Sequence, residues 1–171
     1  RIDIIRKLAT AWMVVGNPAT TPWLFERAGQ ETMERFELWL DRHQQYPFFA
    51  WVHLFEPHAP YDAAGGTVDH RMRMGSLFSD DEKTALRLQY ADEVRLVDQH
   101  IGRIIEQLDA RGLRDKTLIV LVSDHGEMLG EHRLDFNHFG IYDEVIRIPM
   151  VVVAPGLPLK LNTVDSQVRL M

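Results

Sequence analysis

Thr117 to His138 reads TLIVLVSDHGEMLGEHRLDFNH, and the reading of this stretch decides the fold. Its first part, Thr117 to Ser123, is β-branched and aliphatic without clean alternation. That pattern suits a strand covered on both faces, as in a parallel sheet. The run stops at Ser123-Asp124-His125-Gly126, where a carboxylate, an imidazole and a glycine appear just as the strand emerges. In open α/β sheets, ligand sites collect beyond the carboxyl ends of the strands. Asp beside His offers a cation one oxygen and one nitrogen ligand. The same dipeptide also reads as a helix cap followed by a solvated histidine, so its meaning depends on the rest of the chain.

Upstream of this stretch, Ser79 and Glu82 form a capping-box pattern. Leu86, Tyr90, Val94, Val97, Ile101, Ile104 and Leu108 then recur at steps of three and four. This predicts a helix to about Arg111, about 45 Å long at 1.5 Å per residue, with Gly112 closing it. Another helical pattern runs from Gln30 to His43, with Met33, Phe36, Trp39 and Leu40 on one face. Phe48 to Phe55, FFAWVHLF, is a second apolar run suited to a buried strand, with His53 as a structural histidine inside it. Pro57 and Pro60 then stiffen a loop around His58. Asp62 to Phe78 reads as a surface loop or insertion. Nearer the start, Ala11 to Gly16 has the pattern of a short strand. Downstream, Gly140 to Arg147 suits a short helix, and Ile148 to Ala154, containing Met150 to Val153, a third buried strand.

The chain has 171 residues, enough for one domain or a large part of one. It is 46% hydrophobic and 26% charged, which fits a globular protein rather than a disordered one. A net charge of −6 argues against a nucleic-acid partner. No apolar run approaches the roughly 20 residues that span a bilayer. The absence of cysteine excludes disulfides and thiolate metal ligands in this stretch, and leaves both the compartment and the oligomeric state open. The sequence begins with Arg1 rather than Met, so it is expected to be part of a longer chain.

Three apolar strands separated by helices predict an α/β fold, a predominantly parallel sheet sandwiched by helices. The strand ends at Phe55 and Ser123 then share one edge, and His58 meets Asp124 and His125. His138 reaches that edge only if its loop folds back. Such a set suits a divalent cation with an anionic substrate, and a histidine placed to protonate a leaving group.

At this point the chain resembles a family. His58 in EPHAPY, SDHGE at Ser123 to Glu127, Gly-Glu-His at Gly130 to His132 and YDEVIRIP at Tyr142 to Pro149 are similar to the sulfatases, within the alkaline phosphatase superfamily. Tyr90, Val94, Asp98 and Gly102, four residues apart, also resemble the segment before SDHG in that family. The resemblance implies an alkaline-phosphatase-like fold, with residues 1–171 forming part of one catalytic domain. It makes Asp124 and His125 metal ligands, and His58 a contact to the ester that protonates the leaving oxygen. Nine residues before Arg147, where the family places a sulfate-binding lysine, this sequence has His138. The implied cation is Ca²⁺, with Zn²⁺ or Mn²⁺ as alternatives. The family's nucleophile, a formylglycine made within C/S-x-P-x-R, and an Asp-Asp pair that completes the metal site are expected upstream. This stretch alone is therefore expected to be inactive.

Three functions follow from the resemblance. The first is hydrolysis of a sulfated small molecule or glycan. The second keeps the fold with a phosphate or phosphonate ester as substrate, and His125 as a nitrogen ligand suits the softer cations it would use. The third is a non-catalytic relative that binds anionic glycans or a protein.

Overall fold

The structure is a computed structural model that describes residues 27–61, 78–133 and 136–156. The expected strand at Ala11 to Gly16 lies outside the described residues. So does all of the expected Asp62 to Phe78 loop except Phe78, which is buried.

Helix α1 spans Gly29–His43 and helix α2 spans Asp80–Ala110. In α1, Met33, Phe36 and Leu40 follow one another at helical spacing and are buried, which is why this segment docks as a helix. On its outer face Arg35 Nε donates to Glu31 Oε1 at 2.9 Å, one turn away. The start of α2 is a complete capping box: Ser79 Oγ accepts from Glu82 N at 3.2 Å, and Glu82 Oε2 accepts from Ser79 N at 2.9 Å. At its far end Gly112 takes φ 63°, and Leu113 N donates back to Leu108 O at 2.9 Å.

Helix α2 is the spine of the structure, because each of its ends seeds a core. At the C-terminal end Leu108 packs with Met33, Phe36 and Leu40 of α1, flanked by Phe48, Val52, Leu54, Ile104 and Ile119. At the N-terminal end Leu86 packs with Tyr61, Phe78 and Phe136, flanked by Tyr90 and Leu129. Arg103 ties the two helices at the surface, its guanidinium reaching Glu37 at 2.8 Å and Gln30 Oε1 at 2.6 Å.

Strand β1, Ile119–Val122, pairs with β4, Met150–Val153; between them lie a small ladder of β2, Met128–Leu129, with β3, Phe136–Asn137, and the one-turn helix α3, Asp143–Ile146. The β1–β4 pairing is antiparallel, in the register Ile119↔Val153 to Val122↔Met150. This corrects the expectation that these two strands run parallel. A parallel return needs a crossover of a dozen or more residues, usually helical. The connection, residues 123–149, has the length for a crossover but not the helix: it holds only short elements, the β2–β3 ladder and the four-residue α3 among them, and it comes back to the edge it left, where Ser123 N meets Pro149 O at 3.4 Å.

Phe48 to Phe55 is not a strand of either ladder, a second correction. Phe48, Val52 and Leu54 pack on the helical core, while Phe49 and Trp51 are 66% and 80% exposed, and His53 is exposed rather than structural. The segment thus has one buried side and no neighbouring strand among the described residues. Val120, Val122, Val151 and Val152 are likewise about half exposed, so β1 and β4 are not covered on both faces here.

Candidate active site

The turn that carries His58 is held on both sides. Its backbone closes with His58 N donating to Phe55 O at 3.1 Å, and both flanking X-Pro bonds, Glu56-Pro57 and Ala59-Pro60, are cis. Beyond it the Tyr61 ring is 1% exposed, packed edge-on against Tyr90 at 5.4 Å, and its carbonyl accepts from Gln89 Nε2 of α2 at 3.2 Å. That packing holds Tyr61 in the left-handed region at φ 46°, which a bulky residue adopts only when its surroundings impose it.

The SDHG turn sits at the end of β1. Ser123 Oγ donates to His125 O at 2.6 Å, and Asp124 Oδ1 accepts from His125 N at 2.9 Å. The turn needs a glycine at 126 for a steric reason. A Cβ there would lie 2.0 Å from Glu144 O and 3.1 Å from Glu144 C, and Gly126 N already donates to Val145 O at 2.7 Å. The SDHG turn and α3 therefore touch backbone to backbone. Gly126→Ala must push them apart, with an expected loss of about 1–3 kcal/mol, the scale of an overpacked core. Urea unfolding of wild type and variant measures it; a loss under about 0.5 kcal/mol would mean that the segments separate freely.

Because the 123–149 connection begins and ends at one edge, His138 is brought to His125 and His58. Its ring stacks on His125 with centroids 4.3 Å apart and lies 5.2 Å from His58. All four expected site residues, His58, Asp124, His125 and His138, thus come to one place. The hydrogen bonds select the reactive nitrogens. Nδ1 of His58 faces the carbonyl of Ala59 at 2.7 Å, and Nδ1 of His125 faces that of Gly126 at 2.8 Å. A carbonyl only accepts, so both Nδ1 atoms carry the proton and both Nε2 atoms are the ones presented for chemistry.

That tautomer gives His125 a free Nε2 lone pair, 3.8 Å from Asp124 Oδ1, and the Asp124 side chain is 76% exposed. One nitrogen and one accessible carboxylate, with the histidine's other nitrogen fixed by a backbone carbonyl, is a donor set that fits a divalent cation. It is an incomplete one: among the described residues, no group of three or more His, Asp or Glu stands ready to hold a metal ion.

Glu127 had no role in the sequence reading beyond its place in SDHGE. Its side chain is 5% exposed and faces His138 Nδ1 at 3.7 Å. Burial raises its pKa to about 7, against the opposing effects of His125 and the Tyr61 hydroxyl. The only sequence signal for this burial was the apolar Met128 and Leu129 that follow. Burial also lowers the pKa of His138, helped by His125 and His58 and opposed by Asp124. His138 is therefore neutral at neutral pH and offers hydrogen bonding rather than the fixed charge of a lysine.

Gly-Glu-His and YDEVIRIP also meet. His132 stacks on Tyr142 at 4.4 Å, and its Nε2 lies 3.1 Å from Glu144 Oε2. Arg87 of α2 donates to Leu129 O at 2.9 Å and ties the β2–β3 ladder to the spine.

With this geometry in view, similarity to known proteins is informative. The chain is 32% identical over 121 residues to an ulvan-active sulfatase of Formosa agariphila, covering 65% of this chain and 24% of that protein. It is 32% identical over 117 residues to a low-salt glycan biosynthesis sulfotransferase of Haloferax volcanii, covering 66% and 28%. The chain thus spans about a quarter of the length of these relatives. Among solved structures, the phosphonate monoester hydrolase of Agrobacterium radiobacter matches 76% of this chain and 34% of its own, at 25% identity and a TM-score of 0.58. That likeness establishes an α/β, alkaline-phosphatase-like fold. The sulfatase family model matches residues 7–170, nearly the whole length, and spans both the His58 loop and the SDHG turn: the chain belongs to the sulfatase family.

Proposed function

We propose that the whole protein hydrolyses sulfate esters of a small molecule or glycan, and that this stretch supplies half of its metal site and two histidines around the anion. The observation that carries the reading is the meeting of His58, His125 and His138 beside Asp124 at the end of β1. Family membership implies a divalent metal, and we assign Ca²⁺ to Asp124 and His125, completed by residues outside this stretch. When bound, the cation supplies positive charge that holds and polarises the ester's oxygens. His58 acts as the imidazolium: Nδ1–H stays on the Ala59 carbonyl while Nε2–H passes its proton to the leaving oxygen, leaving the neutral ring, and His138 donates a hydrogen bond to the anion. The attacking group is a formylglycine outside this stretch.

A second reading, phosphonate ester hydrolysis, is favoured by the match to the Agrobacterium radiobacter enzyme and by His125 as a nitrogen ligand. The test is kcat/KM of the full-length protein on 4-nitrophenyl sulfate and on a 4-nitrophenyl phosphonate monoester, each with Ca²⁺, Mn²⁺ or Zn²⁺. The proposal expects the sulfate ester to be preferred with Ca²⁺. Preference for the phosphonate with Mn²⁺ or Zn²⁺ would select the second reading, and turnover of neither would reject both.

A further inference from the structure

Helix α1 begins without a cap of its own. The residue before it is Ala28, which offers no side-chain acceptor to the free N–H groups of the first turn. The missing acceptor comes from 27 residues away: Glu56 Oε1 accepts from Gly29 N at 2.7 Å, in a buried setting. A carboxylate there also faces the positive end of the helix dipole.

Glu56 is itself inside the turn that presents His58, the one closed by His58 N and Phe55 O. The opposite side of the pocket is His100 of α2, 3% exposed, with neither ring nitrogen hydrogen-bonded among the described residues. A Cβ on Gly29 would sit 2.7 Å from His100 Nε2 and 2.9 Å from Glu56 Oε2. The first residue of α1 is a glycine because two polar side chains converge on the space a side chain would fill. The carboxylate is thus fixed by a backbone N–H on one helix and walled by an imidazole on the other.

We infer that Glu56 is a positioning residue for His58: by capping α1 across the fold, it fixes the turn that aims Nε2 of His58 at the leaving oxygen. The inference rests on the reading of His58 as proton donor. A displacement of about 1 Å in a group of this kind costs on the order of 10²-fold in rate. Loss of the tie acts on proton transfer and not on substrate affinity.

The experiment compares Glu56→Ala, Glu56→Gln and His58→Ala in the full-length protein, on an alkyl sulfate with a poor leaving group and on 4-nitrophenyl sulfate. Glu56→Ala is expected to lower kcat about 10- to 100-fold on the alkyl ester with KM little changed, and to affect the nitrophenyl ester much less. Glu56→Gln keeps an oxygen for Gly29 N and is expected to restore most of the loss. If the alanine variant does not fold, Glu56→Asp, which keeps the charge but shortens its reach, carries the same comparison. Equal losses on both esters, or none, beside a leaving-group-dependent His58→Ala would overturn this inference alone. A His58→Ala variant blind to the leaving group would overturn the reading of His58, and this inference with it.

Discussion

His58→Ala in the full-length protein is expected to lower kcat by about 10²- to 10⁴-fold on sulfate esters with poor leaving groups, the usual worth of one general acid. The expectation comes from which nitrogen is free. Nδ1–H is held by the carbonyl of Ala59 at 2.7 Å, so in the imidazolium form Nε2–H is the proton that is given up. The ring is also held: it packs on Phe55 with centroids 4.6 Å apart, and Tyr61 anchors the far side of its loop. A 4-nitrophenolate leaves without needing a proton, so the same variant should lose far less on that ester. Pre-steady-state and steady-state rates on a series of esters of rising leaving-group pKa would measure this as a steeper dependence in the variant. An unchanged slope would remove His58 from proton transfer.

The helices were legible because their signals are local. Met33, Phe36 and Leu40 repeat at helical spacing, and Ser79 with Glu82 announces the start of α2 within four residues. The direction of β4 was not legible. An apolar run such as MVVV carries no sense of direction, and only the path of the 123–149 connection, which returns to the edge it left, makes the pairing antiparallel. Phe48 to Phe55 misled for a related reason. Its composition suits a strand, but a strand also needs a neighbour, and sequence reports only the segment's own preference.

The site was legible in membership more than in cause. His58, Asp124, His125 and His138 do meet, but among the described residues Phe55 ends no strand of a sheet shared with Ser123, and His138 comes in, as expected, only because its loop folds back. The connection leaving at Ser123 and returning at Pro149 does so, by staying at one edge. The charge of His138 is likewise set by its surroundings: burial, helped by His125 and His58, lowers its pKa. Glu56 and Glu127 were hidden because both are buried acids in polar-looking loops. Their partners, Gly29 and Tyr61, lie too far away in sequence for any local pattern to show.

The half-site for the cation rests on Asp124 and His125 being a metal pair, and one titration addresses that directly. Ca²⁺ binding to the metal-stripped full-length protein is measured by calorimetry, for wild type and for Asp124→Ala. Loss of a residue that merely orients a ligand costs about 10- to 100-fold in metal affinity, and loss of a ligand costs at least as much. The account predicts a fall of that size or more in Asp124→Ala, with the fold intact because Asp124 is mostly exposed. Unchanged affinity would contradict it and return Asp124 to the role of a loop residue capping His125 N.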